Sequence, residues 1–246
     1  MARKAINRIL KARCRRKLLG ALPEIEDELR AYAKGSDTTG TQWITLWFAV
    51  DGILKHKPRL ILESGTGAST IVLASAVQKL RSEDPSYDGR IVSMESVEEW
   101  YLIARDNLPE TYADTVEIIH GPRKIYNWAL FRGYIHDNIP DLPFDFFFLD
   151  GPAFQDEFGS TFCADVLFVA EDSPHDILRG VIDGRASSAF VLQTLLGTRA
   201  ARFFLSNMAG RFAFAPARLR RDFKTTEFRA DIRGRLRLKR FKKHKK

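Results

Sequence analysis

Leu60-Ile-Leu-Glu63-Ser-Gly65-Thr-Gly67-Ala-Ser-Thr70 is the stretch on which the fold turns. Its apolar start, Leu60 to Leu62, has the texture of a buried strand, and the segment from Ser69 to about Leu80 reads as a helix. Gly65 and Gly67 stand between them, where they permit a tight turn and let a ligand reach the backbone with no Cβ in the way. Read alone, Gly-x-Gly is an ordinary turn. Its place between strand and helix makes it a candidate ligand loop.

Outward from this point the same texture repeats. Ile91–Met94, Val116–Ile119, Phe144–Leu149 and Gly180–Ile182 read as the second to fifth strands. Helices are expected over Val97–Asn107, up to Asp165–Glu171 and over Ser187–Leu196. Arg202–Leu205 and Arg211–Ala215, joined by Ser206 to Gly210, read as a closing hairpin. The alternation predicts an α/β fold: a Rossmann-like, doubly wound, mostly parallel sheet of about seven strands with an antiparallel edge hairpin. Upstream, residues 3–19 can form a helix interrupted by Gly20 and Pro23, and Pro23-Glu24 suits the start of a second one ending near Gly35. From Thr38 to Leu54, the residues Trp43, Leu46, Trp47, Val50 and Leu54 recur at helical spacing as a packing stripe. Four regions follow: a basic arm (1–20), a helical lead-in (21–57), the Rossmann-like core (58–217) and a basic tail (218–246).

Ligands of such sheets bind beyond the carboxyl ends of the strands. Glu63, Glu95 and Asp150 each follow a strand there, and Asp183 follows the fifth. A dinucleotide loop usually continues to a third glycine, but Thr70 occupies that position, and no Gly-Lys-Ser/Thr phosphate loop follows. An acid two residues before Gly65 repels phosphate and favours a cation. S-adenosylmethionine, with a sulfonium, an ammonium and no phosphate, meets that condition. Glu95 can accept hydrogen bonds from both ribose hydroxyls; taken by itself, it reads equally well as a solvated acid at a strand end.

Leu62-Glu63-Ser64-Gly65-Thr66-Gly67, Met94-Glu95-Ser96 and Phe144-Asp-Phe-Phe-Phe-Leu-Asp150-Gly-Pro152 together resemble a class I methyltransferase, nearest to the O-methyltransferase-like group of methyltransferase family 24, over about residues 40–215. The resemblance implies that Glu63, Gly65 and Gly67 line the methionine moiety, with Ser64 and Ser69 beside them. It implies that Glu95, with Ser96, holds the ribose, that the loop at His120-Gly121 passes the adenine, and that Asp150 faces the transferred methyl. Asp150 and Asp183 are then the candidate catalytic pair, as base or as orienting groups for the acceptor. Metal-dependent relatives share a divalent cation between acids at these two points. Here they read Asp-Gly-Pro and Asp-Gly-Arg, short of the fuller acidic sets, and no metal is expected; Asp183 could instead cap the next helix or pair with Arg185. His120 and His175 fall in loops that could flank the site and offer a base, although loop histidines are more often surface groups. Trp100-Tyr101 reads as helix packing rather than an adenine stack, and Cys163 as structural.

At 246 residues and 45% hydrophobic, the chain can bury one substantial core. Cys14 and Cys163 form neither a disulfide framework nor a zinc pattern, and no apolar run reaches the roughly 20 residues of a membrane span. The acid-free, Arg-rich start also fits a mitochondrial presequence, although it lacks Ser; the cytoplasm is the expected compartment. The net charge of +8 is unevenly spread: residues 1–20 carry +8, residues 218–246 carry +11, and the segment between them −11. The basic ends can meet nucleic acid or an anionic membrane, or merely be solvated; Leu236 and Leu238 among basic residues also allow an edge strand. The expected function is methyl transfer to a small-molecule or glycan-like acceptor. The alternatives are a nucleic-acid methyltransferase using the arms, against which no Asn-Pro-Pro-Tyr-like signature follows the fourth strand, and a non-catalytic binding module of the same fold. Oligomeric state is not legible in the sequence.

Overall fold

A computed structural model describes residues 2–34, 42–152, 155–157 and 159–219. In chain order the elements are α1 (Ala2–Ala21), α2 (Ile25–Lys34), α3 (Trp43–His56), β1 (Leu60–Ser64), α4 (Ala68–Glu83), β2 (Arg90–Glu95), α5 (Glu98–Asp106) and β3 (Val116–His120). Then come β4 (Arg123–Trp128), β5 (Phe131–His136), β6 (Phe146–Leu149), β7 (Gln155–Asp156), β8 (Gly159–Ser160), β9 (Phe162–Cys163), α6 (Asp165–Ala170), β10 (Leu178–Asp183), α7 (Ala186–Leu196), β11 (Ala201–Phe204) and β12 (Ala209–Phe214). The expected helix start at Thr38, and nearly all of the basic tail with its Leu236–Leu238 segment, lie outside the described residues.

Seven strands form the main sheet in the order β11-β12-β10-β6-β1-β2-β3. β3, β2, β1, β6 and β10 run parallel, whereas β12 is antiparallel to both β10 and β11. This is the doubly wound sheet with an antiparallel edge hairpin that the alternation predicted. Side chains alternate between its two faces. Ile61, Phe146, Phe148 and Val181 pack beneath α1–α4, while Leu62, Phe147, Leu149 and Ile182 pack beneath α6 and α7. The helical lead-in shares the first of these layers. Gly52 of α3 lies so close to the sheet that a Cβ there would sit 2.9 Å from the Phe146 ring, so the missing side chain sets how closely this helix packs.

The sequence reading departs from the structure most between β3 and β6. β4 and β5 form an antiparallel hairpin, which β9 joins to make a second, small sheet; neither hairpin strand was anticipated. Its turn runs through Ala129 at φ 51° and the exposed Leu130, so it carries none of the Asn-Gly or Gly-Gly signals that announce a two-residue hairpin. The strand expected from Phe144 begins at Phe146, because the Asp145 carboxylate turns back to accept the N–H groups of Arg59 (3.0 Å) and Leu60 (3.1 Å). α1 also continues past Gly20 to Ala21.

Candidate functional site

The chain winds outward from β1 through β2 to β3, then returns to β6 on the other side of β1. The crevice of a doubly wound sheet opens at such a reversal. Here two glycine turns meet across it. Gly65 has φ 93°, and a Cβ on it would come within 2.9 Å of the Gly151 nitrogen; a Cβ on Gly151 would come within 2.7 Å of the Gly65 nitrogen. Gly67, by contrast, faces open space, with nothing within 4 Å of its Cβ direction. One glycine closes the turn and the other leaves room in front of it. Gly65→Ala should therefore cost at least about 1–2 kcal/mol from the left-handed backbone alone. It should also push the Gly151 turn away, which a chemical melt and ligand titration of the variant would register together.

Glu63 points from β1 toward α4 and is fully buried. Its Oε2 accepts the hydroxyls of Thr70 and Ser93, both at 2.6 Å. Thr70 in turn accepts the Gly67 N–H at 3.0 Å, so the carboxylate ties the glycine loop to β2 from beneath. Oε1 is buried with no hydrogen-bond partner among the described residues. Burial, with a smaller contribution from the negative charge of Glu95, raises the Glu63 pKa to about 7 against the lowering effect of the Ser69, Ser93 and Thr70 hydroxyls.

Glu95, one strand over, folds its carboxylate across the same loop. Oε1 accepts the N–H groups of Ser96 (2.7 Å) and Val97 (2.9 Å), and Oε2 accepts the Thr66 N–H at 3.3 Å. Gly121 donates its N–H to the Glu95 carbonyl at 2.8 Å, which brings the turn after β3 alongside; a Cβ there would collide with the Asp137 carbonyl. His120 stacks on Tyr101 at 5.6 Å between centroids, and Trp100 is exposed.

At the other end of the rim, the Asp150 side chain keeps 44% of its surface open, yet the protein around it and its acidic neighbours move its pKa to about 7. Burial contributes most, then the charge of Asp183; Arg185 opposes both, and Glu63 and Glu95 add smaller increments. Asp183 is raised as well, mainly by burial, while its Oδ1 accepts the Thr45 hydroxyl at 2.6 Å. The α3 side chain thus occupies it, and it caps no helix. Arg185 reaches 3.6 Å from Asp150 and donates to the Pro152 carbonyl. Among the described residues no group of three or more His, Cys, Asp or Glu side chains is placed to hold a metal ion.

Glu63, Gly65, Gly67, Ser69, Glu95, Ser96, His120, Gly121, Asp150 and Asp183 therefore share one rim of the sheet. Two residues fall elsewhere. Ser64 lies on the opposite face, its hydroxyl given to Asp165 at 2.6 Å, so only its backbone faces the crevice. His175 takes the commoner of its two readings, a hydrogen-bonded loop histidine: its Nε2 lies 2.8 Å from the Pro143 carbonyl, at the amino end of β6, and so away from the crevice. Asp165 belongs to a buried group that sequence spacing did not reveal. It also accepts the His136 N–H (2.9 Å) and contacts its Nδ1 (2.7 Å). Thr45, Thr66, Thr70 and Ser93 were likewise unanticipated partners of the rim acids, whereas Arg185, expected beside Asp183, reaches Asp150.

The chain is similar to solved methyltransferases. One is an O-methyltransferase from Bacillus cereus in complex with SAH, at 21% identity and TM-score 0.46, covering 80% of this chain and 90% of that one. A second is the O-methyltransferase TomG from Streptomyces achromogenes, involved in tomaymycin synthesis and solved with SAM, at 17% identity and TM-score 0.48, covering 78% and 88%. The SAH-bound Podospora anserina methyltransferase PaMTH1 matches at 16% identity and TM-score 0.44, over 70% of this chain and 65% of its own length. No family model matches the chain, and no curated protein does.

Proposed function

We propose that the chain is an S-adenosylmethionine-dependent methyltransferase acting at an oxygen of a small-molecule or glycan-like acceptor. The observation that carries this reading is the row of carboxylates Glu63, Glu95, Asp150 and Asp183 along one rim, at the point where the strand order reverses. Such a field disfavours a phosphate and suits a ligand carrying a sulfonium and an ammonium. Two local features fit that ligand. The buried Glu63 oxygen lacks a partner, and the space before Gly67 is one that a Cβ would fill.

In this reading Glu63 and the Gly65–Gly67 turn hold the amino-acid end, with Ser69 beside them. Glu95 takes the ribose in place of its contact with Thr66, next to Ser96, and the His120-Gly121 turn borders the adenine. The cofactor, when bound, supplies a methyl group activated on sulfur. Asp150 orients the acceptor hydroxyl and takes its proton as the oxygen–methyl bond forms and the sulfur–methyl bond breaks. Asp183, fixed by Thr45, and Arg185 set the charge around that carboxylate. A cytoplasmic setting goes with the reading: both cysteines are buried and unpaired, and no helix among the described residues is long and apolar enough to cross a membrane.

Calorimetry with S-adenosylmethionine is the direct test. Binding in the micromolar range is expected, weakened at least tenfold in Glu95→Gln, whose amide cannot accept both ribose hydroxyls. No heat of binding at millimolar ligand would remove the proposal.

A further inference from the structure

The fold brings α1 and the β11–β12 hairpin, both free of acids, onto one side of the molecule. Residues 1–23 contain no Asp or Glu, and neither do residues 201–214, which hold Arg202 and Arg211. These stretches are far apart in sequence, yet α1 packs on α3 beside β12. Cys14 and Leu10 of α1 share a small apolar cluster with Ile44, Trp47 and Phe48 of α3 and Ala209 of β12. Asn7 donates to the Ser206 carbonyl, which pins the β11–β12 turn against the helix.

Glu26 of α2 and Asp51 of α3 are engaged here, with Arg15 and Arg211 respectively. Arg8, Lys11, Arg13, Arg16 and Arg202 are exposed and form no ion pair with a described residue. Among these charges stand large apolar side chains open to solvent: Ile9 at 68% exposure, Leu205 at 60%, and Phe204 and Met208 on the same turn as Leu205.

We propose that α1 and the β11–β12 turn form a docking face for an anionic lipid surface. Positive charge alone would serve a nucleic acid equally well. Exposed apolar groups at such a turn have no counterpart on a phosphate backbone, but they do in the acyl boundary beneath lipid head groups. The fourteen Lys and Arg of residues 218–246 add to the attraction. The turn also abuts the proposed acceptor end of the rim: Gly184 donates its N–H to the Met208 carbonyl at 2.8 Å, and Asp183 pairs with Ala209. Docking thus sets that end against the bilayer and suits an amphiphilic acceptor. That corollary rests on the methyl-transfer reading, whereas docking itself does not.

The test is co-sedimentation of the full-length protein with vesicles of phosphatidylcholine alone, or with about a third phosphatidylserine, at physiological salt. Binding to the anionic vesicles only is expected. Arg13→Ala with Arg16→Ala should weaken it about 25-fold, near fivefold per charge. Ile9→Ser with Leu205→Ser should weaken it at least about tenfold, with an unchanged melting temperature. Equal binding to neutral vesicles, or anionic binding untouched by the apolar pair, would overturn the proposal. So would duplex RNA held more tightly than the vesicles and sensitive to the same arginines. Vesicle binding is read without turnover, so an inactive protein that still sediments would reject the transfer reading and leave the docking face standing.

Discussion

Asp150→Asn is expected to slow methyl transfer by about 10²–10⁴-fold, the range for removing a positioned general base. The acceptor would be the best substrate found in a panel of phenols and sugar hydroxyls. An asparagine keeps the size and one acceptor oxygen but cannot take a proton, so KM for the acceptor should change far less than kcat. The pH profile gives a second, independent readout. With a pKa raised to about 7 by burial and by Asp183, Asp150 is protonated over most of its population at pH 6 and ionised at pH 8. Because the ionised form is the active base, kcat/KM should climb about tenfold per unit below pH 7 and level off above it. The Asn variant should lose that inflection. Arg185→Gln should move it upward, since Arg185 is the charge that holds the Asp150 pKa down. A loss under tenfold, or an inflection that persists in the Asn variant, would assign the proton to another group.

The parts of this site that sequence revealed share one property: each is set by a neighbour in the chain. Glu63, Glu95, Asp150 and Asp183 stand where apolar runs end, and parallel strands buried on both faces announce themselves by such runs. Their partners come from elsewhere. Thr45 meets Asp183 across 138 positions, and Ser64 meets Asp165 across 101, so no local period encodes either pair. The β4–β5 hairpin was missed for a different reason. Its apolar residues do not alternate strictly, since Ile125 stands exposed on one face while Tyr126 and Trp128 pack on the other, and its turn uses Ala129 where glycine or asparagine is the usual sign. For His175 the sequence left two readings open, because sequence order alone does not say which end of a strand a loop returns to; its loop adjoins the sheet at the amino end of β6.

Glu63→Gln should make the protein more stable at pH 8 and weaken its hold on a cationic cofactor. Glu63 has no exposed surface, and its pKa of about 7 in the folded chain stands above the ordinary value of 4.5. Between these values the folded chain holds a proton that the unfolded chain has already released. The stabilisation from this group is therefore whole below about pH 4.5 and fades as pH rises through 7. A gap of this size corresponds to about 3 kcal/mol. Glutamine keeps a carbonyl oxygen for the Thr70 and Ser93 hydroxyls and never ionises, so its stability should lack this slope. Urea unfolding at pH 5 and pH 8 should find the two proteins nearly equal at the lower pH and the variant ahead by up to about 3 kcal/mol at the higher. The native glutamate thus holds a charge that costs stability above neutrality, a sacrifice that makes sense where a bound cation offsets it. Cofactor affinity of the native protein should accordingly rise with pH through about 7 as the carboxylate ionises, and that rise should flatten in Glu63→Gln. If the variant bound S-adenosylmethionine as tightly as the parent at pH 8, Glu63 would be a tether for the glycine loop and nothing more.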